Sequence, residues 1–163
     1  MPQLHAGKIN KKEKYVAAEK FIPYNNQKHG KYIVELRHGF SVFEEIKAPQ
    51  IACMGGKHMD GAKFCIGCSY IDKPFKMVDE AHKHTFEQYI FLLGGDSSNM
   101  GEFDAEIEFG LENKINKINY AACIHIIPGT MHGPVIIKKV NKPFVFIDIV
   151  LNDVPSTGGR SSK

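Results

Sequence analysis

The 163-residue sequence has no apolar run long enough to cross a membrane as a helix, which needs ~18 or more apolar residues. Its opening, MPQLHAGKINKKEK, also has no apolar core of the length found in signal peptides. The sequence also has no large excess of one charge sign, because the formal net charge is only +3 and basic and acidic residues are interleaved. We therefore expect a cytoplasmic protein that has neither a membrane nor a nucleic acid as its partner.

Cysteine is scarce, and four cysteines without a secretory signal indicate reduced thiols rather than a disulfide framework. Cys65 and Cys68 form a C-x-x-C pair, which would be half of a zinc site if Cys53 and His58 completed it. In a regular strand, residues three apart lie on opposite faces about 10 Å apart, so a shared ion requires a tight turn between them. The favoured alternative is buried, inert thiols, and Cys123 is expected in the core.

Helical patterns are also rare. Only NKKEKYVAAEKFI has apolar residues at helical spacing, and it ends before Pro23, which predicts an N-terminal helical arm at residues 1–25. Residues 26–153 then carry short apolar segments separated by Gly, Pro, Asn and Asp, a pattern typical of an all-β sandwich or barrel. The polar segment 154–163 is expected to be a flexible tail. A chain of this length fills one core, so we predict a single domain.

The predicted strands include FSVFEEI at residues 40–46, FKMVDEAHKH at 75–84 and EQYIFLLGG at 87–95. GDSSNMGEFD, at residues 95–104, has the composition of a loop. The polar segment NKINKIN, at residues 113–119, is predicted to be an exposed turn or the tip of a hairpin.

Two histidines, His82 and His84, stand at the head of an apolar segment in AHKHTFEQYIFLLGG. If the strand is regular, both share one face with Gln88, Ile90 and Leu92, and that face is predicted to point into the core. Side chains two residues apart lie ~6.5 to 7 Å apart, so the two imidazoles can converge on one metal ion. The alternative is that both histidines are solvated at the entrance of the strand.

A third histidine, His132, follows a Pro128-Gly129 turn in IHIIPGTMHGP. The two segments together resemble the two metal-binding motifs of the cupin superfamily. His82, His84 and Gly95 match the first motif, G-x5-H-x-H-x3,4-E-x6-G, and Gly129 and His132 match the second, G-x5-P-x-G-x2-H-x3-N. The chain departs from the motifs at Lys76, Gln88, Ala121, Ile127 and Ile136. The resemblance covers roughly residues 31–151.

The resemblance implies an all-β, double-stranded β-helix or jelly-roll barrel, here with a short N-terminal helix, and it implies a homodimer. It also implies a divalent metal ion, with Fe, Ni, Mn and Zn as the candidates. Carried over to this sequence, the ligand set is His82, His84, Gln88 and His132. Gln88 occupies the position of the family's glutamate, and Glu87 is the alternative ligand if a β-bulge reverses the two faces.

Other candidate site residues come from the pattern around the motifs. Phe86 lies between His84 and Gln88 and is predicted to wall a pocket for an aromatic or apolar substrate. Glu106, Glu108 and His125 are the candidate general bases. For the two glutamates the alternative is the solvent face of a strand, and for the histidine it is a position in the core or at the rim.

Three functions are consistent with these features. The first is a small metal-dependent enzyme of the dioxygenase, isomerase or decarboxylase type, which acts on an oxygen-rich or aromatic small molecule. The second is a non-catalytic cupin module that binds or senses a small ligand. The third is a structural barrel whose histidines have no present role. The sequence does not choose between catalysis and binding.

Overall fold

The computed structural model describes residues 33–34, 36, 38–39, 41, 43–59 and 61–152. The predicted helical arm and the predicted tail both lie outside these residues. The described part contains ten strands and one short helix, namely β1 (His38–Gly39), β2 (Gln50–Met54), α1 (Gly55–His58), β3 (Cys65–Ile71), β4 (Phe75–Val78), β5 (Gln88–Gly94), β6 (Ala105–Leu111), β7 (Lys114–Ile118), β8 (Ala122–Ile126), β9 (His132–Val140) and β10 (Phe144–Val150).

The strands form two antiparallel sheets, with the orders β1-β2-β3-β10-β5-β8 and β4-β9-β6-β7. The last strand, β10, pairs with both β3 and β5, and β9 pairs with both β4 and β6. From β3 to β10 the chain therefore crosses between the sheets at every connection except the β6-β7 hairpin. Eight strands connected in this way make a jelly roll, which confirms the predicted fold class.

The core lies between the two sheets because apolar side chains alternate along the strands. Burial alternates strictly along β5, where Gln88, Ile90 and Leu92 are buried and the residues between them are partly exposed. β6 shows the same period, with Ile107 and Phe109 on its inner face. Side chains on facing sheets thus fill one common interior, whose largest fully buried members are Phe109, Phe144, Ile71, Leu92, Ile107, Ile126 and Ile137.

Three predicted elements differ from the structure. Residues 43–45 form a turn rather than part of a strand. The predicted strand at 75–84 ends at Val78, and residues 83–87 lie outside any strand. Most of the predicted turn at 113–119 is strand β7. The hairpin turn lies just before β7, at Glu112 and Asn113. Their φ angles of 48° and 64° are those of a two-residue β-hairpin turn.

The described residues include no helix that is both long and apolar enough to span a membrane. The predicted loop at 95–104 is confirmed, since β5 ends at Gly94 and β6 begins at Ala105.

Candidate metal centre

A backbone bridge brings together the two histidine motifs, which lie fifty residues apart in the chain. His82 N donates to His132 O at 2.8 Å, and His132 N donates to His82 O at the same distance. This isolated antiparallel pair joins the segment before β5 to the start of β9. It places the two imidazole rings side by side, with centroids 4.3 Å apart.

His84 is held by the turn that precedes His132. Gly129 N donates to His84 O at 2.8 Å, and the positive φ of 85° at Gly129 belongs to that turn. As a result the ring of His84 lies near His132, with centroids 4.7 Å apart. We call His82, His84 and His132 the inner cluster.

The backbone of β6 packs closely against the backbone that follows His132, and this contact supports the inner cluster. An ideal Cβ built on Gly110 would lie 2.0 Å from Gly133 O and 2.5 Å from Gly133 C. Only a glycine at position 110 lets β6 approach the chain immediately after His132 so closely.

The separations of the three rings are compatible with one shared ion. Two imidazoles bound to the same ion at ~2.0 to 2.1 Å have centroids at most ~6.5 Å apart. The inner cluster meets this limit, because its third pair, His82 and His84, is 6.4 Å apart. That pair is close to the limit, so both rings must turn toward the ion to bind it.

The hydrogen bonds of the inner cluster leave one lone pair on each ring. His82 Nδ1 lies 3.3 Å from Glu80 O, and His132 Nδ1 lies 3.0 Å from Thr130 O. A carbonyl oxygen only accepts, so both Nδ1 atoms carry hydrogen and both Nε2 atoms carry a lone pair. The remaining ring, that of His84, has its Nε2 atom 2.9 Å from Gln88 Oε1.

Two of the free nitrogens are buried and have no partner. Among the described residues, neither His84 Nδ1 nor His132 Nε2 has a hydrogen-bond partner. A buried polar atom without a partner costs about 1 to 3 kcal/mol, and native structures rarely contain two such atoms in one place. A neutral imidazole nitrogen with an unused lone pair is able to bind a metal, so this donor set fits a divalent ion.

In this structure the ring nitrogens of the inner cluster do not converge on a single point. In the described part of the chain, no three or more His, Cys, Asp and Glu side chains are arranged so as to hold a metal ion. Metal binding therefore requires rotation of the histidine side chains. The backbone pairing between His82 and His132 already holds these two residues next to each other.

His132 is buried, with 3% of its surface exposed. Burial lowers the pKa of its imidazole, and the neighbouring His82 and His84 lower it further, whereas the hydrogen bond to Thr130 O opposes the change. A lowered pKa favours the neutral ring, which is the form that binds a metal.

Gln88 connects the inner cluster to a carboxylate on β10. Its Nε2 donates to Asp148 Oδ1 at 2.7 Å, while its Oε1 faces His84. Asp148 lies opposite Ile90 in the register of β5 and β10, on the inner face of the sheet. Burial raises the pKa of Asp148, and the hydrogen bond from Gln88 and the nearby His84 act in the opposite direction.

Asp148 is a site residue that the sequence motifs do not predict, although the strand pattern carries a sign of it. Along β10 the acid falls in phase with Phe144, Phe146 and Val150, which are all buried. An acid on the apolar face of a strand is uncommon unless it has a polar partner. The alternation along β10 therefore indicates an interior carboxylate, but it does not indicate that Gln88 is its partner.

Glu87, the alternative ligand, lies on the other side of β5. Its Oε2 accepts a hydrogen bond from Tyr89 Oη at 3.3 Å, and its Oε1 is 3.7 Å from His125 Nε2. The rings of Tyr89 and His125 are stacked, with centroids 4.5 Å apart and planes 2° apart. We call Glu87, Tyr89 and His125 the outer cluster. Gln88, not Glu87, lies beside the histidines, although its role as a ligand stays a prediction.

The three candidate bases lie on outer faces. Glu106 and Glu108 alternate with buried neighbours on β6, and Glu108 Oε2 is 3.8 Å from Lys138 Nζ. His125 belongs to the outer cluster, and 44% of its side chain is exposed. These positions agree with the stated alternatives, the solvent face of a strand for the two glutamates and the rim for the histidine, because side chains on the outer face of a strand point away from the interior. A role as general base stays a prediction for all three.

Phe86, the predicted pocket residue, is stacked on His84. The ring centroids are 4.0 Å apart and the planes 7° apart. Phe86 therefore covers one face of the His84 ring and limits its rotation. Its contact with a substrate remains a prediction.

All four cysteines lie in the described part of the chain, and none of them forms a disulfide. Cys65 is buried and Cys68 is partly buried, on opposite faces of β3, so the pair does not converge on an ion. Burial raises the pKa of Cys53 and of Cys68, as expected for unreactive thiols. The prediction that Cys123 is a core residue is wrong, because its side chain is exposed on the outer face of β8.

The chain resembles several solved structures. A structure of KdgF from Halomonas sp. shares 13% identity, with 72% of this chain and 86% of that chain covered and a TM-score of 0.45. A cupin 2 domain-containing protein from Halorhodospira halophila shares 16% identity, with 80% and 78% covered and a TM-score of 0.49. An RmlC-like cupin from Shewanella frigidimarina shares 12% identity, with 71% and 81% covered and a TM-score of 0.43.

The chain has a jelly-roll fold, the architecture to which cupins also belong. The sheet order of the chain itself, rather than these overlaps, establishes the jelly roll. No family model and no curated protein sequence matches the chain.

Proposed function

We propose that this cupin-type protein binds a divalent metal ion through His82, His84 and His132, with Gln88 at the fourth position. The observation that carries the proposal is the pair of buried imidazole nitrogens, His84 Nδ1 and His132 Nε2, which have no partner among the described residues. An ion would satisfy both atoms together and remove their desolvation cost. Iron, nickel, manganese and zinc are the candidates, because imidazole suits several of these metals.

We further propose that the bound ion serves chemistry on a small oxygen-rich or aromatic molecule, of the dioxygenase, isomerase or decarboxylase type. A metal with open positions polarises an oxygen ligand and positions it for reaction. Three neutral imidazoles and a neutral amide do not offset the positive charge of the ion. A small molecule with an anionic group, such as a carboxylate, is therefore the preferred ligand. The residues of the chain would fix the ligand rings, through Phe86 on His84 and through the backbone carbonyls of Glu80 and Thr130.

A second candidate function is a binding or sensing module without turnover. The observation that favours it is the outward position of Glu106, Glu108 and His125, which leaves no predicted base beside the histidines. Asp148 is the acid that contacts this site through Gln88, and its side chain is already engaged.

The first experiment measures metal binding by the full-length protein, purified without an affinity tag or chelator. Elemental analysis identifies the metal that copurifies, and calorimetry with Ni²⁺ measures the affinity of the stripped protein. At a hundredfold excess over Kd, the ion should add ~2.7 kcal/mol to the stability of the fold. The variant H82A/H84A/H132A should lose this gain, whereas H125A should keep it. Equal Ni²⁺ binding by the triple variant and the wild type would contradict the proposal.

The second experiment separates an enzyme from a binding module. Candidate carboxylates and hydroxylated aromatics are screened by thermal shift, with and without metal. Each ligand that binds is then incubated with the metal-loaded protein and analysed by mass spectrometry. Conversion that stops after the metal is removed supports catalysis. Tight binding in which the ligand remains unchanged supports the sensing module instead.

A further inference from the structure

The outer faces of the two sheets, which point away from the shared core, differ in chemistry. On the four-stranded sheet, Ile136 lies between Lys76 and Glu108 in the register of β4, β9 and β6. The side chain of Lys138 lies near this acid, with its Nζ atom 3.8 Å from Glu108 Oε2. An antiparallel sheet with one solvated face shows this division, with apolar side chains inside and polar ones outside.

The outer face of the six-stranded sheet is apolar instead. Across the four neighbouring described strands β2, β3, β10 and β5, the one charged residue is Asp148, which lies on the inner face. On the outer face, Ile147 of β10 lies between Cys68 of β3 and Phe91 of β5. The rows on either side of this middle row contain Tyr70, Val145 and Leu93, and Ile66, Ile149 and Tyr89. We call these three rows the apolar face.

The strands of the apolar face carry apolar residues on both sides. β10 reads FVFIDIV and β5 reads QYIFLLG, and such near-continuous apolar sequences are typical of strands that are covered on both faces. Yet the side chains of the apolar face are partly exposed, and Tyr70 is 40% exposed. Among the described elements, only the four-residue helix α1 belongs to neither sheet, so none of them is large enough to cover this face.

The apolar face has the dimensions of the centre of a protein–protein interface. With the adjoining β2, its strands are ~4.8 Å apart and rise ~3.4 Å per residue, so the face measures roughly 20 Å by 20 Å. A patch of ~400 Å² is as large as the largest apolar patch on a typical monomer, and it supplies about half of the ~800 Å² that each partner buries in a standard interface.

The border of the apolar face is polar on the side of β8. Glu87 and His125 of the outer cluster lie there, with 39% and 44% of their side chains exposed. An apolar centre with a polar, partly solvated rim is the usual anatomy of an interface. The rim supplies further area beyond the apolar centre.

We propose that the apolar face joins two copies of this chain in a dimer, sheet against sheet, about a two-fold axis near Ile147. A face without charged side chains is complementary to a second copy of itself, and a two-fold axis brings the same surface of both copies together. Two apolar sheets pack face to face in the same way as the two sheets inside the jelly roll. The homodimer expected from the sequence thereby acquires a defined surface.

The dimer does not depend on the proposed metal ion, because the apolar face and the inner cluster lie on opposite sides of the six-stranded sheet. Its test is therefore the oligomeric state, which is measured on the full-length, metal-free protein by sedimentation velocity over a series of dilutions. We expect a dimer that dissociates on dilution. A wild-type protein that is monomeric at every concentration would overturn the proposal.

A pair of matched variants tests whether the apolar face is the contact. I147K brings two like charges together at the two-fold axis and should weaken the dimer by more than ~100-fold, since such a juxtaposition costs several kcal/mol. I136K makes the same change at a partly exposed position of the other outer face, between Lys76 and Glu108, and should leave the dimer unchanged. A dimer as stable in I147K as in the wild type would overturn the assignment of the surface.

The thiol of Cys68 reports on the same contact without any variant, so the test does not depend on the folding of I147K. Cys68 lies beside Ile147 on the apolar face and is partly exposed. Its alkylation by iodoacetamide at one pH, located by mass spectrometry, should slow severalfold as the protein concentration passes through the dissociation constant of the dimer. A rate that is the same at all concentrations would overturn the proposal. A uniformly slow rate would indicate cover from the chain itself, and a uniformly fast rate would indicate a face that stays open.

Discussion

The inner and outer clusters lie on opposite sides of β5 and contain similar chemical groups. Each has a histidine stacked on an aromatic ring, at 4.0 Å for His84 and Phe86 and at 4.5 Å for His125 and Tyr89. Each also has a side-chain oxygen close to that histidine, from Gln88 inside and from Glu87 outside. Gln88 and Glu87 are adjacent in the sequence, and the two clusters contain the same kinds of groups. The kinds of residues present therefore do not distinguish the clusters.

Burial distinguishes them. His132 is 3% exposed, whereas the side chain of His125 is 44% exposed and can bond to water. The lone pairs of His84 Nδ1 and His132 Nε2 have no such access, so the same kind of nitrogen that is satisfied outside is left unsatisfied inside. The difference shows that a histidine becomes a candidate ligand through what surrounds it, rather than through the residues next to it in the chain.

The largest expected change in Ni²⁺ affinity follows from the loss of an inner histidine. H132A removes a ligand and should weaken Ni²⁺ binding by more than ~100-fold, since even outer partners of a ligand contribute ~10- to 100-fold. H125A should leave the affinity unchanged. Calorimetry on both variants checks the prediction, and similar losses in the two would place the ion elsewhere.

A second prediction concerns the backbone that supports the inner cluster. G110A places a Cβ 2.0 Å from Gly133 O, so the chain after His132 must move, and we expect a loss of about 1 to 3 kcal/mol in the free energy of unfolding. G67A is the control, because a Cβ there meets no atom within 4 Å. It should be neutral or slightly stabilising. Denaturant unfolding of both variants measures the difference, and equal stabilities would contradict the close approach.

The stacked rings allow a finer comparison. F86A frees one face of His84 and should weaken Ni²⁺ binding by ~2- to 10-fold, since a stacked aromatic pair contributes ~0.5 to 1.5 kcal/mol. Y89A removes the corresponding ring of the outer cluster and should not alter the affinity. A weaker affinity in Y89A alone would mean that the outer cluster, rather than Phe86, positions the site.

The smallest expected effect is confined to the outer cluster. Burial raises the pKa of Tyr89 and the Glu87 carboxylate raises it further, because a second negative charge forms beside the first. E87Q removes that charge, so the pKa of Tyr89 should fall while Ni²⁺ affinity stays constant. Ultraviolet titration of tyrosinate, with Y89F to identify the contribution of Tyr89, measures the change. An unchanged pKa would contradict the contact with Glu87.

Sequence patterns located most strands and the three histidines, but they placed several side chains wrongly. The alternation of burial along β5 follows directly from its apolar pattern, so the inward position of Gln88 was predictable. The irregular segment at residues 83–87 was not, because TFE has no strong turn residue. Strand β7 was also missed, since its polar residues pair with β6 and only Ile118 is buried.

The sequence alone determined which residues alternate along each strand, and therefore that one histidine motif precedes β5 and the other leads into β9. Tertiary structure decided that His82 pairs with His132, and that Asp148 meets Gln88 from sixty residues away. The reason is that alternation is a local property of an extended backbone, whereas the partner across a sheet depends on how the whole jelly roll closes.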